Sequence, residues 1–306
     1  MPLLPVIPPQ PVPVYSGFDY VTVDAQRRRV YAAHSGSRAL LIVDADSGKV
    51  LGQVRVGPLH GVAVDPANGH VFTGDGDAKT VSEVDPVALK VLRTADVGGI
   101  VDAVAYDPGN GHIYADEDDG TRIFVVDARS FTSAGTVALP GHKPEYLAVD
   151  PATHVVYQNI SDLNEFVIVD GSSLKVTKTV PTPELTANHP LQYDPVLRHV
   201  LVGGTNGALS VYDPSGKLLA RGTMQEHVDQ CDLDPKRHML ACAGGGEVTL
   251  LRDSAGSPPS VIARYQAPRG VHTLGVDAPT GHVWIVWASA DPSAPGDFVQ
   301  ALVASP

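Results

Sequence analysis

The stretch GVAVDPANGHVF (residues 61–72) decides the fold, because its pattern recurs along the whole chain. Alternating apolar residues lead to an Asp-Pro turn, and a second apolar run follows, often after a histidine. Alternation with β-branched side chains indicates strands, and Asp-Pro favours a tight turn between them. The other copies begin at Tyr20, Ala103, Tyr146, Pro190, Gln230 and Thr273.

The spacing of the copies gives the architecture. The aligned aspartates are Asp24, Asp65, Asp107, Asp150, Asp194, Asp234 and Asp277. Successive gaps are 41, 42, 43, 44, 40 and 43 residues. A unit of about 42 residues is the length of one four-stranded propeller blade. The sequence therefore predicts an all-β fold, a seven-bladed β-propeller formed by residues 1–306 as a single domain.

The two ends of the chain predict how the ring closes. The last unit has only one strand, DFVQALVA (residues 297–304), after its second strand, so it lacks an outer strand. Residues 1–14 have no blade of their own, and we expect them to supply that strand. Their prolines suit an outer edge, where a missing N–H costs no ladder hydrogen bond.

The repeated units, V-x-V-D-P-x-x-x-H-V-Y followed by V-x-V-x-D, resemble the YVTN-type seven-bladed propellers over nearly the whole chain. The resemblance implies the propeller fold. It implies little about function, since that family includes surface proteins, binding modules and enzymes.

Composition excludes several classes of partner. Lys plus Arg number 22 and Asp plus Glu number 34, for a formal net charge of −12. This argues against a nucleic-acid partner and against binding to anionic membranes. The start of the chain lacks a basic segment and is broken by prolines, so we expect a cytoplasmic protein, unless a signal peptide has been removed and the protein is periplasmic or secreted. Cys231 and Cys242 are predicted to be free buried thiols. The sequence does not indicate an oligomeric state.

One column of the repeat carries the chemistry. The residues five positions before each repeated aspartate are Asp19, His60, Asp102, Glu145, His189, Asp229 and His272. All seven are His, Asp or Glu, whereas the next column is mixed. Because these residues share one register, we expect a ring of side chains at one end of the central channel, which we call the top. We refer to the seven as the ring residues.

Imidazole nitrogen and carboxylate oxygen together form the ligand set of Fe, Zn, Mn, Ni or Cu. We therefore expect a divalent transition metal at the ring, bound by His60, His189 and His272. Glu145 is the expected carboxylate ligand or general base. Asp102 and Asp229 are further candidates for moving protons, and with Asp19 they are expected either to orient the imidazoles or to hold a second ion.

Residues near the ring complete the predicted site. Candidates for substrate contact or proton shuttling are His34, His142, His227, Tyr20, Tyr146, Lys143 and Arg269. Asp75, Asp77 and the run Asp116–Asp119 are interpreted as solvated acidic loops. The histidines of the repeated turn, such as His70 and His154, are interpreted as structural.

These observations favour a metal-dependent enzyme that acts on a small-molecule substrate, a lyase or hydrolase. The ring resembles the metal site of virginiamycin B lyase, which is also a propeller with His and Glu at its metal site, and this resemblance implies a distant functional analogy. Two alternatives remain open: a non-haem iron or copper oxidoreductase at the same site, and a non-catalytic propeller that binds a ligand or a protein.

Overall fold

The computed structural model describes residues 2–12, 17–289 and 295–304. Within these residues, 28 strands form seven four-stranded antiparallel sheets, so the predicted seven-bladed propeller is confirmed. In each blade the chain runs outward from an inner strand that borders the central channel.

The strands fall into four sets by their position in the blade, and each set runs from blade 1 to blade 7. The inner strands are β2 (Val21–Asp24), β6 (Leu59–Val64), β10 (Val101–Asp107), β14 (Pro144–Asp150), β18 (Asn188–Asp194), β22 (Val228–Asp234) and β26 (Thr273–Asp277). The second strands are β3 (Arg29–His34), β7 (Val71–Asp75), β11 (His112–Glu117), β15 (Val155–Ile160), β19 (His199–Gly204), β23 (Met239–Gly244) and β27 (His282–Ser289). The third strands are β4 (Ala39–Asp44), β8 (Thr80–Asp85), β12 (Arg122–Asp127), β16 (Glu165–Asp170), β20 (Ala208–Tyr212), β24 (Glu247–Ser254) and β28 (Gly296–Ala304). The outer strands are β5 (Val50–Arg55), β9 (Lys90–Asp96), β13 (Thr132–Ala138), β17 (Lys175–Pro181), β21 (Leu218–Thr223), β25 (Ser257–Gln266) and β1 (Leu3–Val12).

The amino-terminal strand closes the ring as predicted. β1 pairs antiparallel with β28, and the sheet order of blade 7 is β1-β28-β27-β26. The pairing of β1 is irregular between Pro5 and Ile7 and between Ile7 and Gln10, as expected for a proline-containing edge. Residues 13 and 14, also predicted to belong to this strand, lie outside the described residues.

Apolar clusters between neighbouring blades form the core. Each cluster combines side chains from two adjoining sheets, for example Val30 and Leu41 of blade 1 with Trp284 and Val286 of blade 7. The repeated turns add polar contacts at the opposite, bottom end. His154 Nδ1 donates to Asp107 Oδ2 at 2.8 Å, and His238 Nδ1 donates to Asp194 Oδ2 at the same distance. These turn histidines therefore join one blade to the preceding one.

The helical content is two short 3₁₀ turns, Ser35–Ser37 and Ser161–Leu163, among the described residues. No helix in this part of the chain has the length and apolar composition needed to cross a bilayer.

The prediction of two free thiols is wrong. Cys231 and Cys242 face each other on β22 and β23 and form a disulfide, with their Cα atoms 4.1 Å apart. The error has a physical reason: strand periodicity places the two residues in paired strands but does not give their register. That register brings the two residues directly opposite each other.

Reduction of this disulfide is expected to lower the free energy of unfolding by about 3 kcal/mol, the value for a short closed loop. Urea unfolding with and without a reductant measures the effect, and Cys242→Ala should match the reduced protein. Alkylation of the unreduced, denatured protein should find no free thiol at either position. Two alkylated thiols in that sample would contradict the disulfide.

Candidate metal centre

The ring residues lie at one level of the channel because the inner strands break their pairing at the same point. The ladder to the second strand is interrupted at His60, Asp102, His189 and Asp229, and in blade 4 it is interrupted directly after Glu145. Such irregularities bend a strand and re-aim its side chains. Asp19 and His272 come just before β2 and β26. All seven ring residues are half-buried.

Asp19, His60 and Asp102 form one group, which we call the triad. The His60 Nδ1–H donates to Asp19 Oδ2 at 2.6 Å, and Asp102 Oδ1 lies 3.9 Å from the same nitrogen. Among the described residues, these three are the group whose ligand atoms all lie within 4.8 Å of one another. The three residues come from blades 1, 2 and 3, so the triad depends on the assembled ring.

The rest of the ring forms a second group of alternating imidazoles and carboxylates. His189 Nδ1 lies 3.1 Å from Glu145 Oε2, and His189 Nε2 contacts Asp229 Oδ1. His272 Nδ1 donates to the other Asp229 oxygen at 2.7 Å. The two histidines of this group therefore share one carboxylate, and each positive charge has an anionic neighbour.

The expected set of three histidine ligands is not brought together in this structure. His60 takes its carboxylate partners from blades 1 and 3, whereas His189 and His272 pair with Asp229 of blade 6. Periodicity placed the three imidazoles at one level, but their side-chain directions follow the nearest carboxylates.

The two groups differ in electrostatics. Burial raises the pKa of Asp102 well above its usual value, and the charges of Asp116, Asp19 and Glu145 raise it further. In the second group, burial lowers the pKa of His189, but hydrogen bonds to Asp229 and Glu145 outweigh it and raise the pKa to about 11. The triad side thus carries repelling carboxylates, and the other side is internally neutralised.

Outer contacts hold the triad carboxylates. The Tyr20 hydroxyl donates to Asp102 Oδ2 at 3.4 Å, which leaves Oδ1 towards His60. The Gln230 amide Nε2 donates to Asp19 Oδ1 at 3.3 Å, which leaves Oδ2 towards the same imidazole. Gly76 provides room on the other side, since a Cβ there would lie 3.0 Å from His60 Nε2.

Two acidic residues interpreted as solvated loop residues are buried instead. Asp116 is 0% exposed and accepts hydrogen bonds from the Ala103 backbone N–H at 2.6 Å and from Gln158 Nε2 at 2.9 Å. Burial raises the pKa of Asp116 to about 8, although these hydrogen bonds lower it. Asp75 is 1% exposed. Asp75 is the last residue of β7 and Asp116 is the last but one of β11, and each follows an unbroken run of buried residues. These runs, VFTG and IYA, were the available signal for burial.

His34 does not belong to the channel. It is fully buried between blades 1 and 7, where its ring stacks on Phe18 at 4.5 Å and Nε2 contacts Asp297 Oδ2. Gln53 Nε2 donates to its Nδ1 at 3.2 Å. His34 was predicted to contact substrate or shuttle protons near the ring, but it is the last residue of β3 and its side chain is directed into the core.

The other predicted neighbours lie in two places. Tyr20 and Tyr146 lie one residue deeper in the channel than the ring, with their ring centroids 5.5 Å apart. His142, His227 and Arg269 are exposed. Lys143 is also exposed, and its Nζ lies 3.6 Å from Asp119 Oδ1.

The second group predicts a pH dependence of stability. Because the pKa of His189 is raised from 6.5 to about 11, its pairing stabilises the fold fully below pH 6.5, and this contribution is lost as the pH rises towards 11. Hydrogen bonds from His189 and His272 outweigh burial and lower the pKa of Asp229 from 3.8, so its contribution is lost only in acid. We therefore expect the parent protein to have a higher free energy of unfolding than Asp229→Asn, with the largest difference between pH 3.8 and 6.5.

Urea unfolding of both proteins in the presence of a chelator, from pH 3 to 10, measures this difference. The gap between the two proteins should narrow above pH 6.5 and should begin to narrow again below pH 3.8. A gap that stays constant with pH would contradict the pairing of His189 with Asp229.

Comparisons with known proteins show the fold. No protein-family model matches the chain, and no curated protein matches it, so membership of the YVTN family is not shown. Among solved structures, a chain of Kuenenia stuttgartiensis hydrazine synthase is similar, with a TM-score of 0.80 and 16% identity over 97% of this chain and 99% of that one. The Cps50 (Swd1) β-propeller domain of Myceliophteria thermophila has a TM-score of 0.76 and 11% identity, over 97% of this chain and all of that domain.

Proposed function

We propose that the top of the channel binds one divalent transition-metal ion through Asp19, His60 and Asp102. The observation that carries the proposal is the convergence of one nitrogen and two oxygen donors, from three blades, within 4.8 Å. This mixed donor set suits Zn, Fe, Mn, Ni or Cu, whereas Ca and Mg favour oxygen alone. Three protein ligands leave positions open for water and substrate, as catalytic sites require.

The charge around the triad supports a cation. Burial and the charges of Asp116, Asp19 and Glu145 raise the pKa of Asp102, and His60 is the imidazole within the triad. A divalent ion would relieve that repulsion and keep Asp102 ionised as a ligand. The contacts from Tyr20 and Gln230 are the type of outer-shell support that orients metal ligands.

We propose that the protein is a metal-dependent enzyme that acts on a small molecule, as a lyase or hydrolase. A bound metal lowers the pKa of water or polarises a substrate oxygen. Glu145, on the blade next to Asp102, is the proposed proton acceptor, and its contact with His189 holds it at the channel mouth. The name of one structural neighbour, a hydrazine synthase, is in keeping with an enzymatic role.

The disulfide supports a proposal about compartment. Disulfides persist in oxidising environments such as the periplasm or the extracellular space and are rare in the cytosol. We therefore propose, in place of the cytoplasmic expectation, that the protein works in an oxidising compartment.

Elemental analysis tests the metal, and a chelator-controlled assay tests the chemistry. Protein purified without chelator or affinity nickel should carry close to one equivalent of a transition metal. Zn or Mn would direct assays to hydrolysis and elimination, and Fe or Cu to oxidation.

Turnover of a substrate found in these assays should vanish when a chelator is added and return when the metal is restored. In Glu145→Gln, turnover should be lost while the metal is retained. No metal, even after Fe, Zn, Mn, Ni and Cu are added back, would overturn the proposal and leave a binding propeller.

A further inference from the structure

Two tyrosines cross the central channel directly beneath the ring. Tyr20 extends from blade 1, and its hydroxyl reaches Asp102 of blade 3 at 3.4 Å. Tyr146 extends from blade 4, and its hydroxyl donates to the Cys231 carbonyl of blade 6 at 3.1 Å. With their ring centroids 5.5 Å apart, the two side chains span the channel between opposite blades. We call this pair the tyrosine floor.

The backbone holds Tyr146 in an unusual conformation. Its φ is +56°, and among the described non-glycine residues with left-handed φ it is the one that lies inside a strand. The pairing of β14 with β15 is broken between Glu145 and Leu147, which directs this side chain across the channel. Gln192 Nε2 then donates to the Tyr146 hydroxyl at 2.8 Å. Such strain persists where surrounding contacts maintain it, and it is common at ligand sites.

A cavity of about 300 Å³ lies on the other side of the floor. Tyr20 and Tyr146 line it together with Tyr106, Gln192 and Asp232. The tyrosine floor therefore separates the ring from a space large enough for a small organic molecule. We expect that loss of the Tyr146 side chain would extend the space beneath the ring into this cavity.

We propose that Tyr146 determines the size of the ligand by setting the depth of the site above it. This inference rests on the proposed function, because the ligand is bound at the metal on the upper side of the floor. The expected ligand is a short polar molecule that reaches the triad from the top. It carries no aromatic or extended group on the side that faces down the channel. Tyr146 acts as a specificity-determining residue and takes no part in proton transfer.

The floor itself is tested without any metal. In Tyr146→Ala, phenol should occupy the vacated space, as small aromatics fill engineered cavities, with a dissociation constant of about 1 mM or tighter. Tyr146→Phe is the matched control, since it keeps the aromatic ring and leaves the floor in place. Saturation-transfer NMR should detect phenol on Tyr146→Ala, competed by p-cresol, and at least about ten-fold weaker binding to the parent and to Tyr146→Phe. Equal phenol binding by all three folded proteins would overturn the proposal.

Selectivity is tested on the Co²⁺-loaded proteins, with imidazole and 4-phenylimidazole as probes that ligate the metal and change its visible spectrum. The parent and Tyr146→Phe should prefer imidazole, and Tyr146→Ala should shift the ratio of affinities by at least about ten-fold towards 4-phenylimidazole. Tyr146→Gly, whose backbone accepts positive φ without strain, should give the same shift. Co²⁺ binding with an unchanged ratio would overturn the depth proposal. A parent that binds no Co²⁺ would overturn the proposed function instead, and the phenol result would still decide whether the floor exists.

Discussion

His60→Ala is expected to lower the affinity of the protein for a divalent transition metal by at least about 100-fold, because losing a ligand costs more than the 10–100-fold lost with an outer-shell partner. His60 supplies the nitrogen of the triad and lies between Asp19 and Asp102. Without it, two carboxylates remain on a wide channel mouth and form an incomplete site. Competition titration of the chelator-stripped protein with Zn²⁺ measures the change.

His272→Ala is the matched control, since it removes the same residue type from the same ring. Its side chain is 39% exposed against 32% for His60, and it pairs with Asp229 outside the triad. We expect its Zn²⁺ affinity to stay within about three-fold of the parent, a change below 1 kcal/mol. Circular dichroism should show both variants folded. An equal, large loss in both variants would contradict the triad and favour the three-histidine site that periodicity alone predicts.

The second large effect concerns closure of the ring. Leu3→Ala and Ile7→Ala are each expected to lower the free energy of unfolding by about 2–5 kcal/mol, the usual cost of emptying a buried aliphatic site. Leu3 is 2% exposed and packs in the core between blades 6 and 7. Ile7 is 7% exposed and packs between blades 7 and 1. Because the two residues lie in separate clusters, we expect the double variant to show the sum.

The exposed residues of the same strand provide the control. Leu4 is 47% exposed and Val6 is 43% exposed. Their double replacement by alanine should change the free energy of unfolding by less than about 1 kcal/mol, as for most surface sites. Urea unfolding of both double variants decides the matter. Equal destabilisation by the two pairs, or little effect of Leu3→Ala with Ile7→Ala, would contradict the packing of β1 as the closing strand.

The fold was predictable because the repeat is carried by local chemistry. Alternation, β-branched residues and the turn aspartate each act within a few residues and recur in all seven units, and in five of them the aspartate is followed by proline. Closure by residues 1–14 was predictable because the last blade has only three strands of its own and residues 1–14 belong to no other blade.

The sequence predicted at which level of the channel the ring residues lie, but it did not predict which carboxylate each histidine contacts. One column of the repeat identifies Asp19, His60 and Asp102 as neighbours in the ring. It does not show that His60 turns to Asp19 while His189 turns to Asp229. Nor did it show that Asp116, assigned to a solvated run, is buried beside Asp102.

By itself, the sequence determined the number of blades, the order of strands and the level at which ionisable side chains meet, since these depend on spacing along the chain. Tertiary structure alone decided the triad, the Cys231–Cys242 disulfide and the tyrosine floor. Tyr146 and Cys231 are 85 residues apart, and Gln230 and Asp19 are 211 apart. The physical reason is that these contacts cross the channel or join strands in a given register. Side-chain direction there is set by breaks in pairing and by the nearest opposite charge, which a period of about 42 residues does not encode.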